Sequence, residues 1–347
     1  MNILISGGSG FLGRAFSHAL IERYHAQNKE IVITWLTRDS TQTHPDDINM
    51  MTYDELTQTD KRFDVILNLA GAGIADARWT DARKEQLLAS RIEPTEALLS
   101  YIARSSTKPK LLVSGSAIGW YGTQGDKPLD ERSGYETDFA HKLCDKWEQL
   151  ALKATEHAVP VVIVRTGVVI HPAGGMLSKL LTPFKMGVGG QLGDGQQVMS
   201  WISREDWVEA TMFIIEQHLE QGTDIQHITD LAEDTPIVHD RTLESANTFK
   251  PSNKKSTNAL ETSNATSAVV YNLTAPNPVT NHTFTKALGS WLHRPTFFKL
   301  PEFLLKLMFG EMSTLLIDGQ KVLPQALLDA GYSFKNPLLE QALKEQK

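Results

Sequence analysis

The fold of this chain is decided by its opening stretch, Met1-Asn2-Ile3-Leu4-Ile5-Ser6-Gly7-Gly8-Ser9-Gly10-Phe11-Leu12-Gly13. Residues 1–6 are mostly apolar and predict a short buried strand, while residues 14–21 predict a helix. A glycine-rich turn between them would let the backbone approach a pyrophosphate, which the free N–H groups of the helix N-terminus can bind. The glycine spacing is G-x-x-G-x-x-G, not the usual G-x-G-x-x-G. The alternative is a tight turn that binds no ligand.

Composition and charge exclude several classes of protein. The 347 residues include 34 basic and 41 acidic side chains, a net charge of −7, so we expect no nucleic-acid partner. The single cysteine, Cys144, excludes an intrachain disulfide and fits a reducing compartment. No signal peptide is apparent, and charges interrupt the apolar run from Phe303 to Ile317, so no membrane partner is predicted. We therefore expect a cytoplasmic protein with a small-molecule substrate, either a monomer or a homodimer.

Strands and helices alternate along most of the chain. The predicted strands are residues 1–6, 31–36, 63–69, 110–114, 161–165 and 269–273. The predicted helices are residues 14–21, 84–105, 139–157, 284–293, 301–307 and 323–330. This alternation predicts an α/β protein with a Rossmann-type doubly wound parallel sheet and a smaller C-terminal α/β region on the substrate side.

The end of the second predicted strand bears on which dinucleotide would bind. It reads Leu36-Thr37-Arg38-Asp39. An acid at this place usually holds the ribose 2′-hydroxyl of NAD, whereas an arginine pairs with the 2′-phosphate of NADP. Arg38, with Thr37 as a second donor, therefore favours NADP (NADPH) over NAD. Two alternatives stay open, because a shift of one residue would place Asp39 there and Arg38 could be a solvated surface residue.

Three parts of the chain are distinguished by composition. Residues 1–170 are predicted to form the NADP-binding Rossmann domain, and residues 200–220 return to this domain. Residues 171–199 and 270–347 would form the substrate-side C-terminal domain, with 187–203 as one wall of its cleft. Residues 222–268 are rich in Asn, Ser and Thr, and we interpret them as a flexible polar insertion.

Several motifs occur together in an order typical of one group of proteins. They are Ala77-Arg78-Trp79-Thr80, Ser90-Arg91, Gly115-Ser116-Ala117-Ile118-Gly119-Trp120-Tyr121-Gly122, Arg165-Thr166-Gly167-Val168-Val169, Met199-Ser200-Trp201-Ile202 and Asn272-Leu273-Thr274-Ala275-Pro276-Asn277-Pro278-Val279. With these motifs the chain resembles the extended short-chain dehydrogenase/reductases. Within them it resembles an atypical subgroup, the epimerase family proteins, which carry a C-terminal domain of unknown function. The resemblance covers nearly all of the chain except about residues 222–268.

The resemblance implies that NADPH binds in the groove that this superfamily uses. Small residues in Asn68-Leu69-Ala70-Gly71, at the end of a predicted strand, would let the backbone lie against the dinucleotide. Carried over position by position, the cofactor-binding residues are Gly7, Gly10, Phe11, Leu12, Gly13, Thr37, Arg38, Leu69, Ala70, Gly71, Gln86, Arg91 and Val168. For Gln86 and Val168 a purely structural role fits equally well, whereas Arg91 would face the pyrophosphate.

The resemblance also raises a catalytic question, because these enzymes usually use a serine, a tyrosine and a lysine. Aligned on Glu148, the tyrosine and lysine positions fall on Ala140 and Cys144, so the Tyr-Lys dyad is missing. Ser116 matches the serine, and Tyr121 could relay a proton, which makes both candidate catalytic residues. Alternatively, Tyr121 only shapes the substrate loop. The histidines are scattered, and no metal site is predicted.

The sequence therefore favours an NADP(H)-dependent oxidoreductase or epimerase-like enzyme. Its substrate would be a small polar carbonyl or hydroxyl compound, with nucleotide- or sugar-linked compounds among the candidates. The alternative is a catalytically silent sensor or scaffold protein that binds NADPH without turnover. The missing Tyr-Lys dyad favours this alternative, and the retained Ser116 favours the enzyme.

Overall fold

Seven parallel strands form the central sheet. The computed structural model describes residues 1–39, 44–220 and 268–346. In spatial order the strands are β12 (Ala268–Leu273), β7 (Val161–Thr166), β5 (Leu111–Ala117), β4 (Val65–Asn68), β1 (Asn2–Ser6), β2 (Val32–Thr37) and β3 (Ile48–Thr52). Each neighbouring pair in this order runs parallel. The carboxyl ends of all seven strands therefore lie along one edge.

Helices cover both faces of this sheet, since successive side chains of a strand point to opposite sides. On one face Ile3 and Ile5 pack with α1 (Phe11–Ala26) and α6 (Arg204–Glu220). On the other face Leu4 packs with side chains of three helices. These helices are α2 (Tyr53–Gln58), α3 (Asp81–Arg104) and α4 (Phe139–Leu152). The predicted Rossmann-type doubly wound sheet is thus confirmed.

The strand order reverses beside β1, and this reversal locates the ligand crevice. From β1 the chain passes through α1 to β2, and from β4 it passes through α3, on the opposite face, to β5. Connections that diverge in this way leave a crevice at the carboxyl ends of the two strands, where open α/β sheets bind ligands.

The six predicted strands all occur in the sheet, with small shifts at their ends. Strand β3 was not predicted. Its sequence, Ile48-Asn49-Met50-Met51-Thr52, mixes polar and flexible residues, and β3 lies at the edge of the sheet with Asn49 exposed. The helix predicted over residues 139–157 is α4 followed by a 3₁₀ turn, Lys153–His157.

The remaining elements form the smaller α/β region that the sequence predicted. Their strands, paired in twos, are β6 (Gly125–Leu129), β8 (Val168–His171), β9 (Gly190–Leu192), β10 (Val198–Met199), β11 (Trp201–Ser203), β13 (Val279–Thr280), β14 (Phe298–Leu300) and β15 (Gln320–Val322). Their helices are α5 (Gly175–Lys185), α7 (Asn281–Leu292), α8 (Glu302–Phe309), α9 (Thr314–Ile317), α10 (Gln325–Asp329) and α11 (Leu339–Lys344). Trp201, Phe284 and Leu288 are among the buried residues of a separate core in this region.

The domain boundaries stay a prediction, but the first residues of the second segment of the predicted C-terminal domain lie in the central sheet. Residues 270–273 belong to β12 and pair with β7 in the central sheet. The predicted insertion, residues 222–268, lies outside the described residues except for Ala268. Within the described ranges, no helix is long and apolar enough to cross a membrane. The apolar run from Phe303 to Ile317 is divided among α8, a 3₁₀ turn and α9.

Candidate functional site

The glycine turn after β1 has no room for a side chain at Gly7 or Gly13. Gly7 has φ +78°, and a Cβ atom there would lie 2.8 Å from the carbonyl carbon and oxygen of Leu69. A Cβ on Gly13 would lie 2.4 Å from the carbonyl oxygen of Gly7. Helix α1 begins at Phe11, and its N-cap, Gly10, supplies no side-chain hydrogen bond to the first turn. The N–H groups of this turn can therefore bind an anion.

The carboxyl end of β2 carries the two residues predicted to select the cofactor. The Thr37 hydroxyl accepts from Asp39 N (3.1 Å) and donates to Asp39 O (3.0 Å), which fixes the turn. Arg38 is exposed and makes no ion pair with any residue that the structure describes. Burial raises the pKa of the neighbouring Tyr53, and the charge of Arg38 opposes that rise. Arg38 is thus placed at the rim of the crevice, near the phenol of Tyr53.

The carboxyl end of β4 meets α3 through Arg91. Leu69 and Ala70 are half-buried, and Gly7 approaches both. A Cβ on Gly71 would lie 3.1 Å from the guanidinium carbon of Arg91. The structure therefore brings the glycine turn, residues 69–71 and Arg91 into one contiguous surface.

The Arg91 guanidinium is held by backbone carbonyl groups. It donates to Leu87 O (2.9 Å) and Ala72 O (3.2 Å) and lies 5.2 Å from the Trp147 ring centre. Burial lowers the pKa of Arg91, and no carboxylate among the described residues pairs with it. An arginine stays charged in proteins, so this cation can bind an anionic ligand. Gln86, in contrast, is exposed, and its carbonyl accepts from Arg83.

Ser116, near the end of β5, is held by a buried ion pair. Its hydroxyl donates to Glu148 Oε1 at 2.5 Å. Arg165 donates to the same carboxylate through Nε (2.9 Å) and Nη2 (2.8 Å), and all three residues are buried. Cys144, at the superfamily lysine position, is also buried, and burial raises the pKa of its thiol to about 12. A thiol this weakly acidic is a poor nucleophile.

Tyr121 is fully buried and faces away from solvent. Its hydroxyl donates to Asn272 Oδ1 at 2.8 Å, and burial raises its pKa to about 12. Arg165 lies 5.0 Å from its ring centre and thereby links it to the group around Ser116. Because Tyr121 is fully buried, its hydroxyl does not reach a surface where a ligand could bind. Its role as a proton relay stays a prediction, and this burial disfavours it.

The remaining predicted residues lie at the start of α1 and at β8. The Phe11 ring packs beside Gly174 and lies 5.9 Å from the His171 ring centre, while Leu12 is half-buried against the core. Val168 opens β8, and its N–H donates to Ser200 O at 2.9 Å. Its half-buried side chain packs in the C-terminal core, a position that fits a structural role as well as a cofactor contact.

These residues fit a dinucleotide phosphate. Gly7 and Gly13 have no room for a side chain, so β1, the glycine turn and α1 pack closely, and Arg91 and Arg38 offer cations on either side of this turn. Two buried atoms nearby, Asn68 Oδ1 and Trp147 Nε1, have no hydrogen-bond partner among the described residues. Buried polar atoms without partners are uncommon in folded proteins.

Sequence reasoning missed three residues of this site. Tyr53, bonded to Ser6 Oγ at 3.0 Å, follows the unpredicted β3, so no sequence signal placed it beside β1. No role in the site was predicted for Glu148 or for Arg165, which were noted only for their alignment and motif positions. The available signal was Arg165, the single charge in the apolar strand β7, because a buried arginine needs an acidic partner.

Comparisons with known proteins identify the family. Residues 3–227 match the NAD dependent epimerase/dehydratase family, and residues 300–346 match a domain of unknown function, DUF1731. An epimerase family protein of Mycobacterium tuberculosis (strain CDC 1551 / Oshkosh) is 33% identical over 98% of this chain and 96% of its own length. The bovine (Bos taurus) epimerase family protein SDR39U1 is 33% identical over 99% of both chains.

Solved structures show the same architecture. The crystal structure of human epimerase family protein SDR39U1 (isoform 2) with NADPH superposes with a TM-score of 0.75 at 28% identity, covering 99% of this chain and 98% of that one. A UDP-glucose 4-epimerase of Thermotoga maritima, solved with UDP-glucose, gives a TM-score of 0.67 at 17% identity over 99% of this chain and 96% of its own. The second likeness concerns the fold alone.

Proposed function

Because the chain belongs to the NAD dependent epimerase/dehydratase family, we propose that it is a cytoplasmic NADP(H)-dependent oxidoreductase or epimerase-like enzyme. Its substrate is a small polar carbonyl or hydroxyl compound, of which nucleotide- and sugar-linked compounds are the first to test. The observation that carries this proposal is the turn at residues 7–13, in which Gly7 and Gly13 pack too closely for side chains and the first turn of α1 has no side-chain cap.

The cofactor part of the proposal assigns roles along the crevice. The N–H groups at the start of α1 bind the pyrophosphate, with Arg91 as a further cation. Arg38 binds the 2′-phosphate, and Thr37 fixes the turn that presents it. NADPH in the crystal structure of human SDR39U1 supports the same choice.

The catalytic part of the proposal rests on Ser116. Since its hydroxyl donates to Glu148, Ser116 Oγ would meet a substrate as a hydrogen-bond acceptor. Ser116 therefore binds a substrate hydroxyl group better than a carbonyl oxygen. When bound, the nicotinamide supplies or accepts the hydride. Glu148, fixed by Arg165, keeps the serine in this orientation.

A second candidate function is that of a sensor that binds NADPH without turnover. The observation that favours it is the replacement of the superfamily Tyr-Lys dyad by Ala140 and Cys144, both buried. Tyr121, the predicted proton relay, is also buried and bonded to Asn272. On this view Ser116 and its ion pair only stabilise the fold.

Turnover across a panel of alcohols and carbonyl compounds distinguishes the two functions. The enzyme oxidises, reduces or epimerises at least one compound in the presence of NADP⁺ or NADPH, and Ser116→Ala lowers kcat/KM about a hundredfold while NADPH affinity is unchanged. Ser105→Ala, at the far end of α3, is the matched control and keeps full activity. Tight NADPH binding without turnover of any compound would instead support the sensor.

A further inference from the structure

Large apolar side chains are exposed in two segments of the C-terminal region, residues 185–190 and 294–308. Met186 is 72% exposed, Phe297 84% and Leu307 71%. Of the twelve exposed large apolar residues in the described part of the chain, seven belong to these two segments. Soluble proteins seldom expose such a group of side chains unless it binds something.

The two segments are neighbours in space. Arg294 Nε donates to the carbonyl oxygen of Lys185 at 2.9 Å. Strand β14 pairs with β9, which places Phe298 opposite Gly190. Helix α8 begins two residues after β14 ends, and Phe303 and Leu307 are four residues apart on it, so they share one face. We call this surface the apolar rim, formed by Met186, Val188, Phe297, Phe298, Phe303 and Leu307.

The apolar rim is exposed on more than one side. Phe297 and Phe298 are consecutive, and in extended backbone their side chains point to opposite sides, yet both are exposed. Along α8 only Leu305 is buried. Apolar groups exposed on both sides of one segment suit insertion into a deformable surface better than docking on a folded partner.

The charge of the two segments is opposite to that of the whole chain. They contain Lys185, Arg294, Lys299 and Lys306 against one acid, Glu302, a net charge of +3 in a chain of −7. Lys306 pairs with Glu302 at 2.7 Å, while the other three make no ion pair with described residues. Basic residues around exposed aromatic and aliphatic groups are typical of proteins that bind anionic lipid surfaces.

We propose that the apolar rim binds the surface of a membrane that contains anionic lipids. The aromatic side chains insert at the level of the headgroups, and the three unpaired cations contact lipid phosphates. This interaction is independent of the proposed redox function. It also differs from the sequence-based expectation of no membrane partner, because interfacial binding needs no spanning segment.

Co-sedimentation of the full chain with lipid vesicles tests the proposal. We expect binding to vesicles of phosphatidylcholine mixed with phosphatidylglycerol, and little binding to phosphatidylcholine alone. The double variant Phe297→Ser/Phe298→Ser lowers the partition coefficient about tenfold. Lys185→Gln/Lys299→Gln lowers it by a similar factor and removes the preference for anionic vesicles. Leu338→Ser, at an exposed leucine outside the rim, is the matched control and binds like the unchanged protein.

Three results would overturn the proposal. One is that the protein, with its melting temperature and NADPH affinity intact, binds neither kind of vesicle. Another is equal binding to both kinds, or an equal loss in Leu338→Ser. The third is a dimer that forms without lipid and dissociates in Phe297→Ser/Phe298→Ser, which would make the apolar rim an interface between two copies of the chain.

Discussion

We assign the choice between the two dinucleotides to Arg38. Its side chain is exposed beside Tyr53, and the turn that carries it is fixed by Thr37. We expect Arg38→Ala to weaken NADPH binding about tenfold to a hundredfold, because a charge-assisted hydrogen bond contributes about 1.5–3 kcal/mol. NADH lacks the 2′-phosphate, so its affinity should not change. Isothermal titration calorimetry with both cofactors measures the two effects.

The matched control for Arg38→Ala is Arg62→Ala. Arg62 is an exposed arginine just before β4, at the opposite edge of the sheet from the glycine turn. It should leave the affinity for both cofactors unchanged. If Arg38→Ala bound NADPH as tightly as the unchanged protein, the assignment of the 2′-phosphate to Arg38 would be wrong.

Single residues differ in how far the sequence reveals their roles. Gly7 and Gly13 could be singled out because a glycine turn between a strand and a helix is a local pattern, and their contacts are indeed too close for any side chain. Tyr121 could not be judged in this way. Its burial depends on Asn272, which lies 151 residues further along the chain.

At the scale of elements, Asp206 joins the start of α6 to the C-terminal segment. Its side chain is fully buried and accepts from Ser203 Oγ (2.9 Å), Lys335 N (2.7 Å) and Asn336 N (2.9 Å). Ser203 in turn accepts from Asp206 N at 2.9 Å, which caps the helix. One carboxylate therefore holds three segments together.

We expect Asp206→Asn to destabilise the protein by about 3 kcal/mol, because the amide nitrogen cannot accept and leaves buried N–H groups unpaired. Urea unfolding followed by circular dichroism measures the loss. Glu205→Gln, on the same turn and with a carboxylate about one-third exposed, is the control and should cost less than about 1 kcal/mol. Equal losses in the two variants would contradict this role for Asp206.

Elements were predictable where their signal was local and strong. The apolar runs that became β1, β4, β5 and β7 lie in the buried centre of the sheet, so their residues could be only strands. β3 was not predicted because an edge strand does not need a continuous apolar run. The contacts of Asp206 with Lys335 and Asn336 could not be predicted because these residues lie about 130 positions away in sequence, and no local pattern encodes such a contact.

At the scale of the whole molecule, the sheet brings buried groups from distant segments together. His218, on α6, lies beside Tyr271 of β12, with 3.4 Å between Nε2 and the hydroxyl oxygen. Burial lowers the pKa of His218 from 6.5 to about 4. The native state therefore keeps this histidine neutral at pH values where the unfolded chain already protonates it.

This difference in pKa predicts how stability depends on pH. Above pH 6.5 His218 is neutral in both states, and between 6.5 and about 4 only the unfolded chain binds the proton, so the free energy of unfolding falls. From about pH 7.5 to about pH 5 the loss due to His218 should be about 2 kcal/mol. Urea unfolding of the unchanged protein and of His218→Gln at both pH values measures the contribution of His218 to this loss. The control is His25→Gln, at an exposed histidine. A pH-dependent loss of the same size in His218→Gln would mean that other groups, and not this buried imidazole, make the fold sensitive to acid.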